Sequence, residues 1–417
     1  MNNRSDVLIL GGGVIGLACA LYLLRAGRSV TILEQGSAAA ACSHGNCGTI
    51  TPSHAMPLAM PGMIGQALRW LFKNDAPFRV APRLDFDLLV WLLQFARRCT
   101  WDDFQRTTSV KAPLLKLARQ AIEDLVRSEG FDCEFETTGT LNVYRDAAAF
   151  EKSQWLPRTL ADCGMPVEVL DGASCREREP ALNDSIVGGY FNPGDAHLRP
   201  DRYGAALVRA VRAAGGQISE STRIEGFRVD GGRIASVATS RGEFGGRDVI
   251  LALGAWSPRV ARQLDLRIPI QPGKGYSITY ARPQRCPRIP LTLKERAVCV
   301  TAWQSGYRLG STMEFAGYDT TLNRTRLDAL RRGAAEYLYE PEGPQVVEEW
   351  YGWRPMTYDD LPILGRSRSV QNLVLATGHG MLGVTMSAAT GMLIGELIGG
   401  RELSLDLAAF APDRFNL

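Results

Sequence analysis

The sequence predicts an α/β protein with two domains, one built on a largely parallel sheet and the other an α+β unit on a mixed sheet. Near the N-terminus a short, branched, apolar strand runs directly into a glycine-rich turn and an apolar helix. Two more strands of this buried type lie far along the chain, at residues 248–253 and 373–376. Such strands are typical of parallel sheets covered by helices. The β-rich region 268–310 alternates instead, which indicates a second sheet.

Composition sets the broad class. The chain has 417 residues, of which 45% are hydrophobic and 22% charged, as expected for a globular protein with more than one core. The formal net charge is only +3 and no basic run occurs, which argues against a nucleic-acid partner. Nine cysteines without a C-x-x-C pair, and no signal-peptide pattern, predict reduced thiols and a cytoplasmic location. The four histidines lack metal-ligand spacing, so we expect no metal site.

The first predicted unit is a strand, a helix and a second strand, with the strands at residues 6–10 and 29–33. Between them stands the pattern Gly11-x-Gly13-x-x-Gly16. Gly11 suits the tight turn, Gly13 leaves room for a pyrophosphate, and Gly16 lets helix and strand pack closely. The unpaired N–H groups at the helix N-terminus favour phosphate at the same place. The unit therefore predicts a Rossmann-like, dinucleotide-binding domain.

Glu34 ends the second strand, about twenty residues after the glycines, where an acidic side chain accepts hydrogen bonds from a ribose. An acid there disfavours the 2′-phosphate of NADP and leaves NAD and FAD both open. Residues 7–24 form an apolar stretch of roughly membrane-spanning length. Three consecutive glycines within it are poor helix formers, so we reject a spanning helix.

The remaining elements follow from periodicity and turn residues. Gly231-Gly232 predicts a hairpin turn between two strands. Helices are predicted at residues 60–72, 86–98, 112–128, 150–163, 201–214 and 324–338 and from 381 to about 395, and further strands at 136–143, 217–219, 224–230 and 233–239.

Four segments, spread over almost the whole chain and in the same order, resemble the D-amino-acid-oxidase superfamily of FAD-dependent oxidoreductases. They are the glycine motif with Glu34, residues 249–256 (VILALGAW), residues 350–357 (WYGWRPMT) and residues 378–383 (GHGMLG). Within the superfamily the chain is most similar to bacterial D-amino-acid dehydrogenases, with D-hydroxyproline dehydrogenase among the possibilities. The shared segments are residues 272–277 (PGKGYS), residues 315–319 (FAGYD) and residues 354–362 (RPMTYDDLP).

The resemblance implies that FAD lies between the two domains. The FAD-binding domain would comprise residues 1–85, 193–265 and 350–417, and the substrate-binding domain residues 86–192 and 266–349. Gly378, Gly380 and Gly383 precede or open the last helix, whose N-terminus would stabilise negative charge on reduced flavin. The predicted cofactor-binding residues are Gly11, Gly13, Val14, Ile15, Gly16, Glu34, Gln35, Ser43, Asn46, Gly48, Gly254, Trp256, Gly378, Gly380, Met381, Leu382, Gly383 and Val384.

We expect FAD to be bound without a covalent link. Related amine oxidases attach flavin through a C-terminal cysteine or an N-terminal histidine. No cysteine follows Cys299, which closes the first route, whereas His44 and His54 leave the second formally open. The His44-Gly45 pair is itself a departure, because the usual family version of this loop lacks it.

Three residues are predicted to act at the substrate. The resemblance implies that Arg354 clamps the substrate α-carboxylate, which suits a planar, permanently charged guanidinium. The alternative is a structural ion pair with Asp359 or Asp360. Tyr276 is predicted to bind the carboxylate or close the pocket, and His379 to approach the flavin edge or the substrate. Structural packing is the alternative for both. For Lys274 we favour a position in a surface loop.

The resemblance implies hydride transfer from the substrate Cα to flavin N5 without a strong side-chain base. Orientation and desolvation would then supply most of the catalysis. The implied substrate is a small D-amino acid, with cyclic examples such as D-proline or cis-4-hydroxy-D-proline included. The alternatives are a glycine- or sarcosine-type amine oxidase that uses oxygen, a non-catalytic flavin subunit of an electron-transfer complex, and an NAD-dependent dehydrogenase.

The sequence also narrows the electron acceptor of the reduced flavin. No second glycine motif exists for a nicotinamide, so oxygen, a quinone or a protein partner must receive the electrons. A quinone would bring the protein to the inner face of the membrane as a peripheral protein. The predicted helix 86–98 is apolar on nearly every side with a basic end, and such a helix can lie on a bilayer. A helix apolar all round is more often buried, and we favour burial here.

Overall fold

The chain contains helices and strands throughout its length, with several runs of consecutive strands. The computed structural model describes residues 3–70 and 78–417. Within these ranges the helices are α1 (Val14–Arg25), α2 (Met63–Trp70), α3 (Phe86–Arg97), α4 (Trp101–Glu129), α5 (Ala147–Lys152), α6 (Trp155–Asp162), α7 (Gly172–Arg178), α8 (Pro200–Ala213), α9 (Ser257–Ala261), α10 (Arg324–Ala335) and α11 (Gly383–Gly399). The strands are β1 (Arg4–Leu10), β2 (Val30–Leu33), β3 (Thr49–Ile50), β4 (Phe78–Val80), β5 (Thr140–Tyr144), β6 (Glu168–Asp171), β7 (Gly188–Asn192), β8 (Ala196–His197), β9 (Gln217–Ser219), β10 (Ile224–Asp230), β11 (Arg233–Thr239), β12 (Gly242–Leu251), β13 (Ile270–Tyr280), β14 (Leu291–Leu293), β15 (Val298–Trp303), β16 (Gly306–Phe315), β17 (Val346–Thr357), β18 (Ile363–Arg366) and β19 (Leu373–Thr377).

The first sheet contains the predicted strand–helix–strand unit. β1 lies between β12 and β2 and runs parallel to both, with Leu8 opposite Val249 on one side and Thr31 on the other. β2 continues to β9 and β12 to β19, both in parallel, while β10, β11 and β12 form an antiparallel meander. Helices α1, α8 and α11 pack in the core on one face, and a second apolar layer around Leu8 and Leu251 covers the other. The predicted Rossmann-like unit of parallel strands is confirmed, and antiparallel strands at its margins make this sheet mixed as well.

The second sheet is mixed, as predicted. Its strands follow the order β17-β13-β16-β15-β14-β5-β7-β6, with β4 added beside β16. The β14–β5 and β16–β4 pairs are parallel and the other pairs are antiparallel. Helix α10 packs on this sheet through Leu327 and Leu330. Strand β17 at its edge crosses to the first sheet and carries the segment 350–357.

Two predicted helices differ from the observed ones. Helix α4 begins at Trp101 rather than residue 112, because Thr100 caps it by accepting a hydrogen bond from the Asp103 N–H at 3.2 Å. Pro113 lies inside this helix, although proline favours the first turn. The predicted helix 150–163 is two helices, and the Ser153 hydroxyl at the break donates to the Phe150 carbonyl at 2.7 Å.

Two elements lie across the predicted domain boundaries. β4 belongs to the range 1–85 but pairs with β16 of the second sheet. Helix α4 belongs to the range 86–192, yet Leu114 and Leu115 are buried in the first core, where α4 packs against α11. Both follow from contacts between distant segments, which local sequence patterns do not report. Of the predicted helix 60–72, residues 71 and 72 lie outside the described residues.

Helix α3 corrects the prediction that residues 86–98 are buried. Leu88 and Trp91 are buried, at 4% and 5% exposure, but Phe86 and Leu93 are 78% and 55% exposed. Only one face of the helix therefore packs against the rest of the protein, and the other face is exposed. Within the described residues, no helix combines the length and the apolar character that a membrane crossing requires.

Candidate active site

A cavity lies between the carboxyl ends of the parallel strands of the first sheet and strand β17 of the second. Its volume is about 1270 Å³ when the open solvent at its mouth is included. We call it the central cavity. Ligands of doubly wound sheets bind at such strand ends. The predicted site residues that line it are Gly11, Gly13, Val14, Ile15, Glu34, Gln35, Ser43, Asn46, Gly254, Trp256, Arg354, His379, Gly380, Met381, Gly383 and Val384. Gly16, Gly48, Gly378, Leu382 and Tyr276 are not among its lining residues.

Glu34 is fixed at one end of the central cavity. Its Oε2 atom accepts a hydrogen bond from the Gly12 N–H at 2.9 Å, and its Oε1 atom accepts one from the Gly36 N–H at 2.9 Å. Two backbone donors thus hold the carboxylate at the end of β2. Each oxygen keeps a lone pair that can accept from a ribose hydroxyl.

The N-terminus of α1 is open toward the central cavity. Gly13 is its N-cap residue, no side chain caps the helix, and its first turn has no acidic residue. A Cβ atom at Gly13 would meet no other atom within 4 Å, so space for a ligand lies directly against the backbone. Gly11 makes the turn at φ +109°, and Gly16 packs so closely that its Cβ would lie 2.0 Å from the Gly11 oxygen. The free N–H groups suit a pyrophosphate.

The loop after Glu34 is fastened to the second sheet through the His44-Gly45 pair. The Nε2 atom of His44 lies 2.9 Å from Oε1 of Glu348, and this hydrogen bond raises the pKa of His44. A Cβ atom at Gly45 would lie 2.1 Å from the Trp350 ring, so the indole occupies the space of a side chain. The loop residue Asn46 lines the central cavity. The His44-Gly45 pair, which the usual family loop lacks, therefore contacts two residues on β17, Glu348 and Trp350.

The C-terminal side of the central cavity is the start of α11. No side chain caps this helix and its first turn contains no acid, so the N–H groups near Gly383 and Val384 face the cavity wall. His379 lies beside it, with Nε2 3.0 Å from the Thr390 hydroxyl, and burial lowers its pKa to about 3. The imidazole is therefore neutral and tied to the helix. Gly378 and Leu382 shape the turn without lining the cavity.

Arg354 reaches the central cavity from β17. Its strand neighbour on β13 is Gly273, and Gly275 on the same face leaves the space that the guanidinium fills. The Nη1 atom donates to the Thr312 carbonyl at 2.7 Å, at a bulge of β16 where Thr312 has φ +52°. Burial lowers the pKa of Arg354, but a guanidinium stays charged in proteins. The remaining N–H groups of the fork are available to an anion.

The alternative of a structural ion pair for Arg354 finds no support among the described residues. Asp359 pairs with Arg414 at 2.8 Å, and Asp360 pairs with Lys111 at 2.5 Å. No described carboxylate forms an ion pair with Arg354. The guanidinium is half-buried, and a cation taken partly out of water is stabilised by an anion beside it. Arg354 therefore has no such anion among the described residues.

Tyr276 and Lys274 lie on the other face of β13. The Tyr276 hydroxyl donates to Oε2 of Glu314 at 2.6 Å within the core of the second sheet. Lys274 is fully buried and its Nζ lies 3.1 Å from Oδ2 of Asp319, so the predicted surface position is wrong. Successive strand residues point to opposite faces, which turns both side chains away from Gly275. Tyr276 thus packs in the core of the second sheet, which is the alternative given for it, and it does not line the central cavity.

Trp353 is a lining residue that the sequence analysis missed. It packs edge-on against Trp256, with ring centroids 5.2 Å apart, and both line the central cavity. Its Nε1 atom is buried and has no hydrogen-bond partner in the described residues. A buried donor without a partner is costly unless a ligand satisfies it. Together with Glu34 and the two open helix ends, this donor fits a dinucleotide with a planar ring system.

Sequence comparison assigns the chain to a known family. The family described as FAD dependent oxidoreductase (DAO) matches residues 6–397. The D-amino acid dehydrogenase of Rhizobium johnstonii is 33% identical over 415 residues, which cover 98% of this chain and 99% of that protein. The D-amino acid dehydrogenase of Rhizorhabdus wittichii is 34% identical over 418 residues, with 98% and 100% covered.

Solved structures share the fold. Glycine oxidase from Geobacillus kaustophilus superimposes with a TM-score of 0.81 at 23% identity, over 98% of both chains. L-proline dehydrogenase from P. horikoshii gives a TM-score of 0.75 at 19% identity, over 100% of this chain and 98% of that one.

Proposed function

The chain belongs to the family of FAD-dependent oxidoreductases, and we propose that it dehydrogenates the carbon–nitrogen bond of small D-amino acids. FAD is its cofactor. The relatives at 33–34% identity over nearly the whole chain carry the name D-amino acid dehydrogenase. The observation that carries the proposal within this chain is Arg354, a half-buried cation that lines the central cavity without a described carboxylate partner.

The proposed FAD contacts follow the geometry of the central cavity. Glu34 would bind the ribose, the N-terminus of α1 the pyrophosphate, and the N-terminus of α11 the pyrimidine end of the flavin. Neither His44 nor His54 is among the lining residues, which supports non-covalent binding.

Arg354 would hold the substrate carboxylate and thereby place the α-carbon. When bound, FAD supplies at N5 the acceptor for the hydride that leaves this carbon. Among the described lining residues the only carboxylate is Glu34, which is engaged at the ribose end, and His379 is neutral and bonded to Thr390. The substrate amine must therefore arrive uncharged or lose its proton to solvent. Orientation in a closed, dry cavity would supply most of the catalysis.

Anaerobic mixing of the yellow holoprotein with D- and L-amino acids tests the proposal. Bleaching by the D series alone supports it, and cyclic members such as D-proline and cis-4-hydroxy-D-proline belong in the panel. Bleaching by glycine or sarcosine with rapid reoxidation by oxygen would favour an amine oxidase instead. No bleaching by any amine would indicate a non-catalytic flavin subunit.

Substitution of Arg354 tests the residue itself. Arg354→Ala removes two charge-assisted hydrogen bonds, each worth roughly 1.5–3 kcal/mol, so KM should rise at least about a hundredfold. Arg354→Lys keeps a positive charge and should recover part of the loss. The FAD content of both variants should stay unchanged, and an unchanged KM for Arg354→Ala would remove the carboxylate assignment.

The proposed electron acceptor is a quinone or a protein partner, reached by a peripheral contact with the inner face of the membrane. Support comes from the sequence, which has one dinucleotide motif and none for a nicotinamide. Reduced protein mixed anaerobically with a short-chain quinone should regain its yellow colour faster than with air-saturated buffer. Faster reoxidation by oxygen would exclude the dehydrogenase assignment.

A further inference from the structure

Helix α3 presents an apolar stripe to solvent. Phe86, Leu89, Val90 and Leu93 are all exposed, and their spacing of three and four residues puts them on one face of the helix. Arg97 follows one turn later on the same face and is also exposed. We call these five residues the outer face of α3. An apolar stripe on the solvent side inverts the usual orientation of a surface helix and marks an interaction site.

The charges around this stripe favour an anionic partner. Asp85 and Asp87, the acids next to the stripe, are paired with Arg83 and Arg262. Arg97 has no ion pair with the described residues. In sequence, residues 60–98 contain six basic and three acidic side chains. This segment therefore has an excess of three basic side chains.

The inner side of α3 contacts the wall of the central cavity. Trp91 donates from Nε1 to the carbonyl of Met356 at 3.0 Å, two residues beyond Arg354. Leu88 and Trp91 pack in one cluster with Met356, and Met381, which lines the cavity, packs against that cluster. One helix therefore separates the outer face from the cavity. A partner bound there would lie next to the reacting cofactor.

We propose that the outer face of α3 docks on the surface of an anionic lipid bilayer. A single amphipathic helix with apolar side chains on one face and a basic end is the geometry of interfacial binding, with shallow insertion of the apolar side chains. A stable protein–protein interface takes roughly 20–30 residues from each partner, whereas the outer face of α3 comprises five. The docking itself does not depend on the proposed function, which enters only because a membrane acceptor would then be close to FAD.

Vesicle co-sedimentation of the holoprotein tests the proposal. We expect binding to vesicles of phosphatidylcholine mixed with phosphatidylglycerol, and much weaker binding to phosphatidylcholine alone. Leu89→Glu with Leu93→Glu should reduce binding at least tenfold. The matched control is Val169→Glu with Val229→Glu, two exposed valines on other elements, which should bind as the unmodified protein does. Arg97→Gln should weaken binding to the anionic vesicles about fivefold and leave phosphatidylcholine unaffected.

Activity with a soluble dye separates docking from the proposed function. Both double variants should keep their FAD. With whichever amine the unmodified protein oxidises, they should reduce the dye at the same rate as that protein does. Equal vesicle binding by the α3 variant and the control would overturn the proposal. So would a dimer in solution that the α3 variant abolishes, because a second copy would then cover the face.

Discussion

Replacement of Gly275 by alanine should disable the substrate clamp without disturbing the cofactor. A Cβ atom at this position would lie 2.4 Å from Nη1, 2.5 Å from Cζ and 2.6 Å from Nη2 of Arg354. Gly275 has ordinary extended backbone in β13, so alanine fits the backbone itself. The clash therefore falls on the guanidinium alone, which must move away from its place beside the Thr312 carbonyl.

The size of the effect follows from these distances. Non-bonded carbon atoms pack at about 3.5 Å or more, so the guanidinium has to shift by roughly 1 Å. A misplacement of about 1 Å in a positioning group costs on the order of a hundredfold in rate. That factor corresponds to about 2.7 kcal/mol of transition-state stabilisation. We expect most of it in KM, because the carboxylate contact forms when the substrate binds.

Gly273→Ala is the matched control. Gly273 lies on the same strand and face, but its Cβ would meet Met356 Cγ at 2.9 Å and Met313 at 3.4 Å. Methionine side chains are flexible and can yield. Steady-state dye reduction by a D-amino acid should therefore show a loss near a hundredfold for Gly275→Ala and less than about threefold for Gly273→Ala. Equal kinetics for the two variants, with equal FAD content, would refute the placement of Arg354.

Three further predictions concern the cofactor end and stability. Glu34→Ala removes the ribose acceptor, so the affinity of the apoprotein for FAD, measured by fluorescence titration, should fall at least about tenfold; an unchanged affinity would contradict the Glu34 assignment. The hydrogen bond between His44 and Glu348 raises the pKa of His44 above 6.5 and lowers that of Glu348 below 4.5. The stabilisation from this hydrogen bond is lost as the pH rises through the folded-state pKa of His44, and it is also lost as the pH falls through the folded-state pKa of Glu348. His44→Asn should therefore lower the unfolding temperature most at about pH 5 to 6 and least in alkaline buffer. Lys111→Met leaves Asp360 buried without its partner and should cost about 3–5 kcal/mol in urea unfolding, and Asp360→Asn added to it should recover part of that loss.

The cofactor half of the site could be predicted from sequence because its geometry is local. Gly11, Gly13 and Glu34 lie within one strand–helix–strand unit, and hydrogen bonds between near neighbours fix their positions. A buried parallel strand and a glycine turn leave few alternative structures. The two observed strands of this unit start and end within two residues of the predicted bounds.

The substrate half depends on contacts between distant segments. The position of Arg354 results from Gly275 on one strand and Thr312 at a bulge on another, about 80 and 40 residues away. The family resemblance pointed to Arg354, but no periodicity in the sequence shows which strand lies beside it. The family motif at residues 272–277 suggested that the Tyr276 side chain faces the cavity. The alternation of side chains along β13 instead directs it into the core of the second sheet.

Trp350 couples the two halves of the site. Its indole fills the space that side chains at Gly45 and Gly352 would need, with Cβ positions only 2.1 and 2.2 Å from ring atoms. Gly45 belongs to the loop that brings Asn46 to the cavity, and Gly352 stands two residues before Arg354 on β17. A side chain at either glycine would push the loop and the strand apart, because an indole held on both sides has no free direction. The loop's departure from the usual family pattern therefore sets the distance between the cofactor loop and the substrate clamp.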